Sequence, residues 1–492
     1  MHLHGLAPIT LVCVALAGLV FACGAETSLP AGADATPDTT AASDVDEPSI
    51  YLPEDLTQTW QPGRTLRLRP DQRRRDLRDV RGIIHTHSPY SHDACDDEPQ
   101  DKDGKPNAQC FEDVRFAVCK VRHDFVMLSD HPTLFADHDF PEVLLYRAER
   151  GDTLVKHGDL TTAARLACAG APPVLLLGGT EGSLMPVGLE GHVAATPDER
   201  HAVYGSADPQ QIEVMRAHGA VILAQHTEDW TPEQLATLPI DGFEMYNLHA
   251  NLMTNIPKVV KLLPVLLNTE GKAPHPDLVL LGLLEEDERY ASRWGTVLAG
   301  GAKRVTTLAT DSHRNALPME LPDGERVDSF RRMMSFFSNH LLVHTQADGS
   351  FDDRDLKDAL RSGRLYGAFE LLGFPDGFDY HAVQGGASVE MGGEVSIAQG
   401  ATLELRVPGV AGLDPSVPAP DVTPRILRAR VGGFDVVATG AETHFYVPTE
   451  PGAYRAEVRI RPRHLVGFLG DLASLGETEF PWVMSNPVYV VK

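Results

Sequence analysis

Five short apolar segments of this chain each end at, or within a few residues of, side chains that bind metal ions. The segments and the residues after them are 82–84 before His85 and His87, 125–128 before Asp130 and His131, 174–177 before Glu181, 221–224 before His226, and 305–310 before Asp311 and His313. Apolar runs of this length, bounded by polar or small residues, are typical of buried parallel strands. Ligand side chains at the carboxyl ends of such strands predict a closed β/α barrel with its active site at one end.

Helical patterns separate these apolar runs, and strands that alternate with helices favour parallel βαβ units. Helices are predicted over 113–122, 160–169, 209–218, 232–238, 256–267 and 291–300. Two more apolar runs, at 242–246 and 278–281, bring the predicted strands to about seven. That number favours a barrel over an open sheet.

The pattern changes after residue 340, where one helix is predicted over 352–362 and short alternating runs follow. These runs lie at 402–407, 426–431, 434–438, 454–460 and 488–491. Turns with Gly and Pro separate them, which is typical of a small β-sandwich. The predicted domains are therefore an α/β barrel over 61–345, a connecting helical segment over 346–384 and a β-sandwich over 385–492.

The composition fits a globular protein and argues against one class of partner. Apolar residues make up 42% and charged residues 23% of the 492 residues, which is enough to bury a large core. The net charge of −26 argues against nucleic-acid binding, which needs clustered Lys and Arg. A small-molecule substrate is the partner we expect.

The N-terminus is typical of a targeting segment. Residues 9–22 are apolar over a length that suits a signal peptide but not a membrane anchor. The run ends in Phe21-Ala22-Cys23-Gly24, which resembles the lipobox of bacterial lipoproteins, although no Lys or Arg precedes it. We predict a signal peptide over 1–23, a lipid on Cys23, a disordered linker over 24–60 and a cell-envelope location. Ordinary secretion with an incidental Cys23 is the alternative.

Four cysteines remain after Cys13 and Cys23 are assigned to the signal segment, and they allow three disulfide connectivities. Cys95 and Cys110 flank a polar loop that apolar burial cannot hold, so a bridge there is plausible in an oxidising compartment. Cys119 and Cys168 would then pair between two predicted helices. Four reduced thiols are the alternative.

The order of the ligand motifs resembles that of the PHP family, the polymerase and histidinol phosphatase superfamily of metal-dependent phosphoesterases. The resemblance covers roughly 80–340, and it rests on His85-Thr86-His87, His92, Ser129-Asp130-His131, Glu181, Gln225-His226 and Asp311-Ser312-His313. It implies a distorted seven-stranded β/α barrel that holds two or three divalent metal ions. Imidazole and carboxylate ligands suit zinc, manganese and iron alike.

The resemblance also implies a ligand set. The first metal would be held by His85, His87, Glu181 and Asp311, the second by Glu181, His192 and His226, and the third by His92, His131 and His313. Glu181 would thus bridge two ions. Asp93 is an alternative to His92, and His201 is an alternative to His192.

Two further residues are candidates for catalysis beside Glu181 and Asp311. Asp130 precedes a ligand and could orient an imidazole, or it could cap its strand. Arg314 follows the last ligand and could clamp an anionic substrate, or it could lie at the surface. The metals themselves would lower the pKa of a bridging water and neutralise developing charge, so that no protein nucleophile is required.

A narrower resemblance concerns the segments 244–247 and 480–489, which match those of a PHP branch that includes enzymes resembling carbaryl-type carbamate hydrolases. Three functions therefore remain open. The first is a phosphoesterase that directs a metal-bridging hydroxide at a small phosphoester. The second is a carbamate, ester or amide hydrolase with the same centre, and the third is a non-catalytic metal-binding lipoprotein.

Overall fold

Seven strands close a ring in the first part of the chain, and a layer of sheet follows them. The computed structural model describes residues 48–266 and 272–492, which belong to one compact unit. The strands of the first part are β1 (Arg78–Ile84), β2 (Phe125–Met127), β3 (Thr153–His157), β4 (Leu160–Leu166), β5 (Val174–Gly179), β6 (Met185–Leu189), β7 (Val221–Ala224), β8 (Gly242–Asn247) and β9 (Val305–Ala309).

The ring runs β1–β2–β5–β6–β7–β8–β9 and closes where Ile84 of β1 pairs with Ala309 of β9. Neighbouring strands are parallel except at β6, which runs antiparallel to both β5 and β7. β3 and β4 form a hairpin that joins the first part of β5. The predicted seven-stranded α/β barrel is confirmed, and β6 is its distortion.

One member of the predicted strand set is wrong. Residues 278–281 belong to a 3₁₀ helix, Pro276–Leu283, and the seventh barrel strand is β6 instead. Leu278 and Leu281 are fully buried, and a short apolar run cannot distinguish a buried helical turn from a strand. The helix predicted over 160–169 is also wrong, because β4 occupies that segment and its residues pair with β3 and β5.

Helices cover the outside of the barrel and the connections. They are α1 (Ala108–Lys120), α2 (Pro132–Phe135), α3 (Phe140–Val143), α4 (Pro197–Tyr204), α5 (Pro209–Ala217), α6 (Pro232–Thr237), α7 (Leu248–Thr254), α8 (Ile256–Leu266), α9 (Glu288–Ala299), α10 (Phe330–Met334) and α11 (Asp353–Arg361). Several begin where the sequence supplies a cap. The side chain of Asn107 accepts the Cys110 amide, and that of Asp208 accepts the Gln210 amide.

The second part of the chain forms C-terminal sheets where the sequence predicted a small β-sandwich. Its strands are β10 (Ser338–Val343), β11 (Leu365–Ala368), β12 (Pro375–Asp376), β13 (Asp379–Gln384), β14 (Ala387–Glu390), β15 (Glu394–Ser396), β16 (Thr402–Arg406), β17 (Gly409–Val410), β18 (Asp421–Arg430), β19 (Gly433–Thr439), β20 (Gly452–Arg461), β21 (Phe480–Ser485) and β22 (Val488–Val491). β10 pairs with β1, and pairing continues through β11, β21, β20, β18 and β19. A smaller sheet has the order β14–β13–β16.

Two segments that the sequence placed outside the main domains are packed into the structure. The connecting segment 346–384 contains α11, but it also supplies β11, which pairs with both β10 and β21. Within the predicted linker 24–60, residues 48–60 are packed: the Tyr51 hydroxyl donates to Pro375 O over 3.1 Å, and the Trp60 amide donates to Gly412 O over 2.8 Å. Because Tyr51 and Trp60 are buried, the residues from Tyr51 onward belong to the packed structure and not to a linker. The signal segment 1–23 and residues 24–47 lie outside the described residues.

Both expected disulfides are present. Cys95 bonds to Cys110 and Cys119 bonds to Cys168, with Cα–Cα distances of 5.8 and 5.4 Å. Cys168 lies in the loop after β4 rather than on a helix, because 160–166 is a strand. Among the helices in the described ranges, none combines the length and the apolar character needed to cross a bilayer.

Candidate metal centre

Side chains from five barrel strands meet at one end of the barrel. Each strand contributes ligands from the loop after its carboxyl end: His85 and His87 after β1, His131 after β2, Glu181 after β5, His226 after β7, and Asp311 and His313 after β9. The five strands are parallel, so their carboxyl ends lie at the same edge. All of these side chains except those of His131 and His226 are almost completely buried.

The first group consists of His85, His87, Glu181 and Asp311. The Nε2 atoms of His85 and His87 lie 3.3 Å apart, and each lies 3.1–3.2 Å from Glu181 Oε2 and from Asp311 Oδ1. A point equidistant from four atoms with such spacings is about 2 Å from each of them, which is the length of a Zn–N or Zn–O bond. The residues therefore fit a divalent metal ion.

Glu181 faces a third imidazole with its other oxygen. Its Oε1 lies 3.0 Å from His226 Nε2, whereas its Oε2 faces His85 and His87. His226 Nε2 also lies 3.6 Å from Asp311 Oδ2. A carboxylate whose two oxygens face separate sets of imidazoles has the arrangement required to bridge two ions.

A second group combines His87, Asp93, His131 and His313. Asp93 Oδ2 lies 3.2 Å from the Nε2 atom of both His131 and His313. The sequence assigned this position to His92, with Asp93 as the alternative, and the structure brings Asp93 into the group. His92 is exposed and its ring lies tilted beside that of His131, 5.0 Å between centroids, so it lies at the edge of the site.

His249 is a further candidate ligand that the sequence did not reveal. It forms a group with Asp311 and His313, and its Nδ1 lies 3.2 Å from His313 Nδ1. It lies in α7, directly after the segment 244–247. The only sequence signal for it was this position at the end of a buried strand.

The five histidines of the centre share one arrangement: Nδ1 faces a protein oxygen and Nε2 faces the cluster. The partners of Nδ1 are Glu244 for His85 (2.5 Å), Ser91 for His87 (3.0 Å), the Glu181 carbonyl for His131 (2.7 Å), Glu228 for His226 (3.4 Å) and the Asp311 carbonyl for His313 (2.9 Å). Such partners fix the ring and direct the Nε2 lone pair inward, as metal-binding histidines require. Within the described residues, Asp311 Oδ1 and His313 Nε2 are buried without a hydrogen bond, which also fits an ion.

The backbone is in an uncommon conformation at three of these residues. His85, His226 and Asp311 have φ values of 73°, 47° and 51°, in the left-handed region that residues other than glycine seldom adopt. Such strain costs of the order of 1–3 kcal/mol per residue and clusters at functional sites. Here it accompanies the sharp change of direction at the end of β1, β7 and β9.

The carboxylates favour the charged form of His226 and His131 when no metal is bound, whereas burial lowers the pKa of His87. Burial lowers the pKa of His226, but hydrogen bonding to Glu181 and Glu228 raises it to about 11. Burial likewise opposes protonation of His131, and Asp93 raises its pKa to about 9. Burial favours the neutral form of Glu181, but the charge of His85 and its histidine partners hold the Glu181 pKa well below its usual range. The site is therefore electrostatically suited to cations.

Glu244 and Asn247 support the ligands from behind. Glu244 is fully buried; Oε1 contacts His85 Nδ1, and Oε2 accepts the His226 amide over 3.0 Å. The Asn247 amide nitrogen donates to Glu244 Oε2 over 3.1 Å and to Asp311 Oδ2 over 3.2 Å. The sequence singled out this segment only as a family resemblance, and the structure gives it a physical role.

His192 does not join the centre. Its Nε2 faces the His138 carbonyl at 2.8 Å and its Nδ1 faces the Tyr204 hydroxyl at 3.2 Å, so both nitrogens are engaged. It follows β6, the antiparallel strand, whose carboxyl end points away from the ligands. The alternative, His201, is also remote, since it pairs with Asp137 over 3.0 Å.

The two additional catalytic candidates have structural partners. The Asp130 carboxylate accepts the Ser88 amide and hydroxyl over 2.5 and 2.8 Å, so it holds the loop after β1 rather than an imidazole. The Arg314 guanidinium pairs with Asp113 of α1 over 3.0 Å, which directs it to a helix rather than to a substrate. In this structure Asp130 is thus held by Ser88 and Arg314 by Asp113, and a catalytic role for either residue stays a prediction.

Comparison with known proteins adds little. No family model matches the sequence, and no curated protein matches it. A crystal structure from Bacteroides vulgatus ATCC 8482, described as a two-domain protein containing a predicted PHP-like metal-dependent phosphoesterase, aligns over 84% of this chain and 97% of its own. The identity is 12% and the TM-score is 0.30.

Proposed function

We propose that this chain is a metal-dependent hydrolase of the PHP type that acts on small phosphoesters. The observation that carries the proposal is the shared arrangement of the five histidines, each fixed at Nδ1 and directed inward at Nε2 around Glu181, Asp311 and Asp93. A storage or purely structural site needs four closed ligands, whereas this centre offers overlapping groups that share His87, Asp311 and His313.

The first group of His85, His87, Glu181 and Asp311 would hold one ion, and Asp93, His131 and His313 would hold another with His87. When bound, divalent ions supply an activated water and offset the charge that develops on a phosphoryl oxygen. The protein's part is to keep Glu181 between the first group and His226 and to hold His85 rigid through Glu244. Asp130 remains outside this chemistry, because both of its oxygens are engaged by Ser88.

The experiment is a panel of substrates on the purified enzyme after its metal content has been measured and each candidate metal has been restored. We expect turnover of para-nitrophenyl phosphate or bis-para-nitrophenyl phosphate. Glu181→Ala should abolish that turnover and lower the metal content. Glu112→Ala is the control, because its exposed carboxylate pairs with Arg150 and not with a ligand of the centre. Full activity of Glu181→Ala, or inactivity of the metal-loaded wild type on every ester tested, would overturn the proposal.

A carbamate or carboxylic ester hydrolase is the second candidate. Support for it comes from the apolar and aromatic part of the cavity wall beside the centre, with Met245, Tyr246 and Trp294, which suits an uncharged substrate group. Para-nitrophenyl acetate and an aryl carbamate in the same panel distinguish the two candidates by their kcat/KM values.

We also propose that the chain is exported and attached to the membrane through a lipid on Cys23. Two disulfides support export, because such bonds persist in oxidising compartments. Mass spectrometry of the mature N-terminus, compared with that of Cys23→Ser, tests the anchor. A mature protein that retains residues 1–22, or one without lipid at Cys23, would contradict it.

A further inference from the structure

A cavity of about 350 Å³ lies beside the metal centre, between the barrel and the C-terminal sheet. Its wall includes Glu228 and Asn247, which contact the ligands His226 and Asp311. The rest of the wall has an apolar and aromatic part, with Met245, Tyr246, Trp294, Phe369, Pro481 and Met484, and a polar part that includes Asn251, Asn255 and the residues 285–289. Its volume lies within the range of small-molecule pockets, which is roughly 300–1,000 Å³.

Helix α9 runs along the cavity and contributes side chains to both of its ends. Tyr290 and Trp294 are four residues apart, so they lie on the same face of the helix, one turn from each other. The Tyr290 hydroxyl donates to Glu228, whose carboxylate faces His226. The Trp294 ring lies under the guanidinium of Arg455, 4.7 Å from its centroid. The cavity therefore extends along α9 from the metal side to Arg455.

Arg455 is buried in the cavity wall with part of its hydrogen-bonding capacity unused. Only 3% of the residue is exposed, and its guanidinium also lies over Phe434, 4.5 Å from the centroid. Nη2 donates to Glu457 over 2.8 Å. Nε and Nη1 have no hydrogen-bond partner among the residues that the structure describes. Buried donors normally have acceptors, so a ligand oxygen that reached this part of the wall would find an unused donor on Arg455.

The charge around Arg455 disfavours an anionic ligand. Glu457, itself buried, already balances the guanidinium. Carboxylates on the cavity wall add negative charge. Three of them lie beside a cation, Glu285 with Lys258, Glu286 with Arg459 and Asp287 with Arg289, and Glu288 adds a further carboxylate. A neutral oxygen acceptor satisfies Arg455 without bringing a further negative charge into an apolar space.

We propose that this cavity binds the leaving group of the substrate, an uncharged aromatic alcohol whose far end carries a carbonyl oxygen that accepts from Arg455. The assignment of this moiety as the leaving group rests on the proposed hydrolase function. The binding of such an alcohol by the cavity does not, and it can be measured separately.

The test is titration calorimetry with three phenols of similar size: 4-hydroxyacetophenone, 4-ethylphenol and 4-hydroxybenzoate. Each is titrated into the full-length enzyme, with metal and after metal removal, so that binding is measured independently of turnover. The wild type should bind 4-hydroxyacetophenone about three- to tenfold more tightly than 4-ethylphenol, the value of one hydrogen bond. It should bind the anionic 4-hydroxybenzoate less tightly than 4-hydroxyacetophenone.

Arg455→Met should remove this preference, because methionine keeps the apolar stem and has no donor. Arg115→Met is the matched control: Arg115 is also buried, paired with Asp152 and beside an aromatic ring, but it lies outside the cavity wall. Should Arg455→Met fail to fold, Ala250→Leu fills the cavity instead and should weaken all three phenols. Equal binding of the two neutral phenols by the wild type, an unchanged preference in Arg455→Met, unchanged binding in Ala250→Leu, or tightest binding of 4-hydroxybenzoate would overturn the inference.

Discussion

Two kinds of histidine environment lie close together in this barrel, and only one of them is suited to metal. His226 has one nitrogen beside Glu228 and the other beside Glu181, and its pKa is raised to about 11 by these carboxylates. His192 has both nitrogens engaged by neutral oxygens and packs against Phe135 and Phe140, so burial lowers its pKa to about 4. The same side chain is prepared for a cation in one place and kept neutral in the other.

This difference indicates that the partners of the two ring nitrogens, rather than the position of a histidine in the sequence, determine whether it can bind a metal ion. Both residues follow a barrel strand within a few positions, and both were assigned to the same metal. β7 runs with the ligand-bearing strands and β6 runs against them, so only His226 emerges at the edge that carries Glu181.

The strongest test replaces each of these histidines by alanine. His226→Ala should lower turnover by more than about a hundredfold, because even the loss of an outer partner of a ligand costs 10–100-fold. His192→Ala should keep its full metal content and lose about 1–3 kcal/mol of stability, since it leaves the Tyr204 hydroxyl and the His138 carbonyl without their partner. Metal analysis and denaturant unfolding of both variants measure these effects. Loss of metal from His192→Ala would contradict the conclusion that His192 is not a metal ligand.

The disulfides offer a second contrast, between a bridge at the centre and one away from it. The Cys95 amide donates to the His313 carbonyl over 2.9 Å, and Asp93 lies two residues before Cys95. Replacing Cys95 and Cys110 together by serine should cost about 3 kcal/mol of stability and also weaken metal binding at the Asp93 group. Thermal unfolding and metal titration would show both effects.

The matched control is the double replacement of Cys119 and Cys168, which should cost a similar free energy of unfolding, about 3–4 kcal/mol, and leave metal affinity unchanged. Equal metal affinities in the two double variants would mean that the Cys95–Cys110 bridge does not position Asp93.

A substitution of Glu244 tests whether the hydrogen-bond partner of His85 Nδ1 affects metal affinity. Glu244→Gln keeps the size of the side chain but weakens the hydrogen bond to His85, so metal affinity should fall about 10–100-fold with little change in the fold. Glu370→Gln is the control, because Glu370 is equally buried and pairs with Arg81 outside the centre. Chelator competition measures the affinity, and an unchanged affinity in Glu244→Gln would remove Glu244 from the positioning role.

The sequence was sufficient for the barrel and for the first group. His85, His87, Glu181 and Asp311 each follow a run of buried apolar residues, and parallel strands bring such positions together whatever the details of the helices. The failures occurred where one local pattern serves two structures. The run 278–281 is apolar in a strand or in a buried 3₁₀ helix, and the segment 160–166 is a strand because β3 and β5 pair with it.

The rest of the site depends on contacts that no local pattern encodes. Glu244 and Asn247 lie far in sequence from His85 and Asp311, and only the closure of the barrel places them in contact. His249 reaches His313 from α7, and Asp93 replaces its neighbour His92 because a loop side chain one position away points in another direction. The direction of β6, which excludes His192, is likewise a property of strand pairing.

The comparison of His131 with His192 gives the smallest effect, a dependence of metal affinity on pH. The pKa of His131 is raised to about 9, so at pH 7 the metal-free site holds a proton that a metal ion must displace. Affinity should therefore rise by about tenfold per pH unit for each displaced proton up to about pH 9. His192, with its pKa lowered to about 4, is already neutral at pH 7, so His192→Ala should leave this slope unchanged.

His192 should instead affect stability in acid. A lowered histidine pKa means that the unfolded chain binds the proton more readily, so this contribution is complete above about pH 6.5 and is lost as the pH falls towards 4. Chelator competition at pH 6.5, 7.5 and 8.5, with proton release measured by calorimetry in two buffers, tests the His131 slope. A flat affinity over this range would show that the carboxylates do not hold a proton on His131, and the distinction between the two environments would then rest on geometry alone.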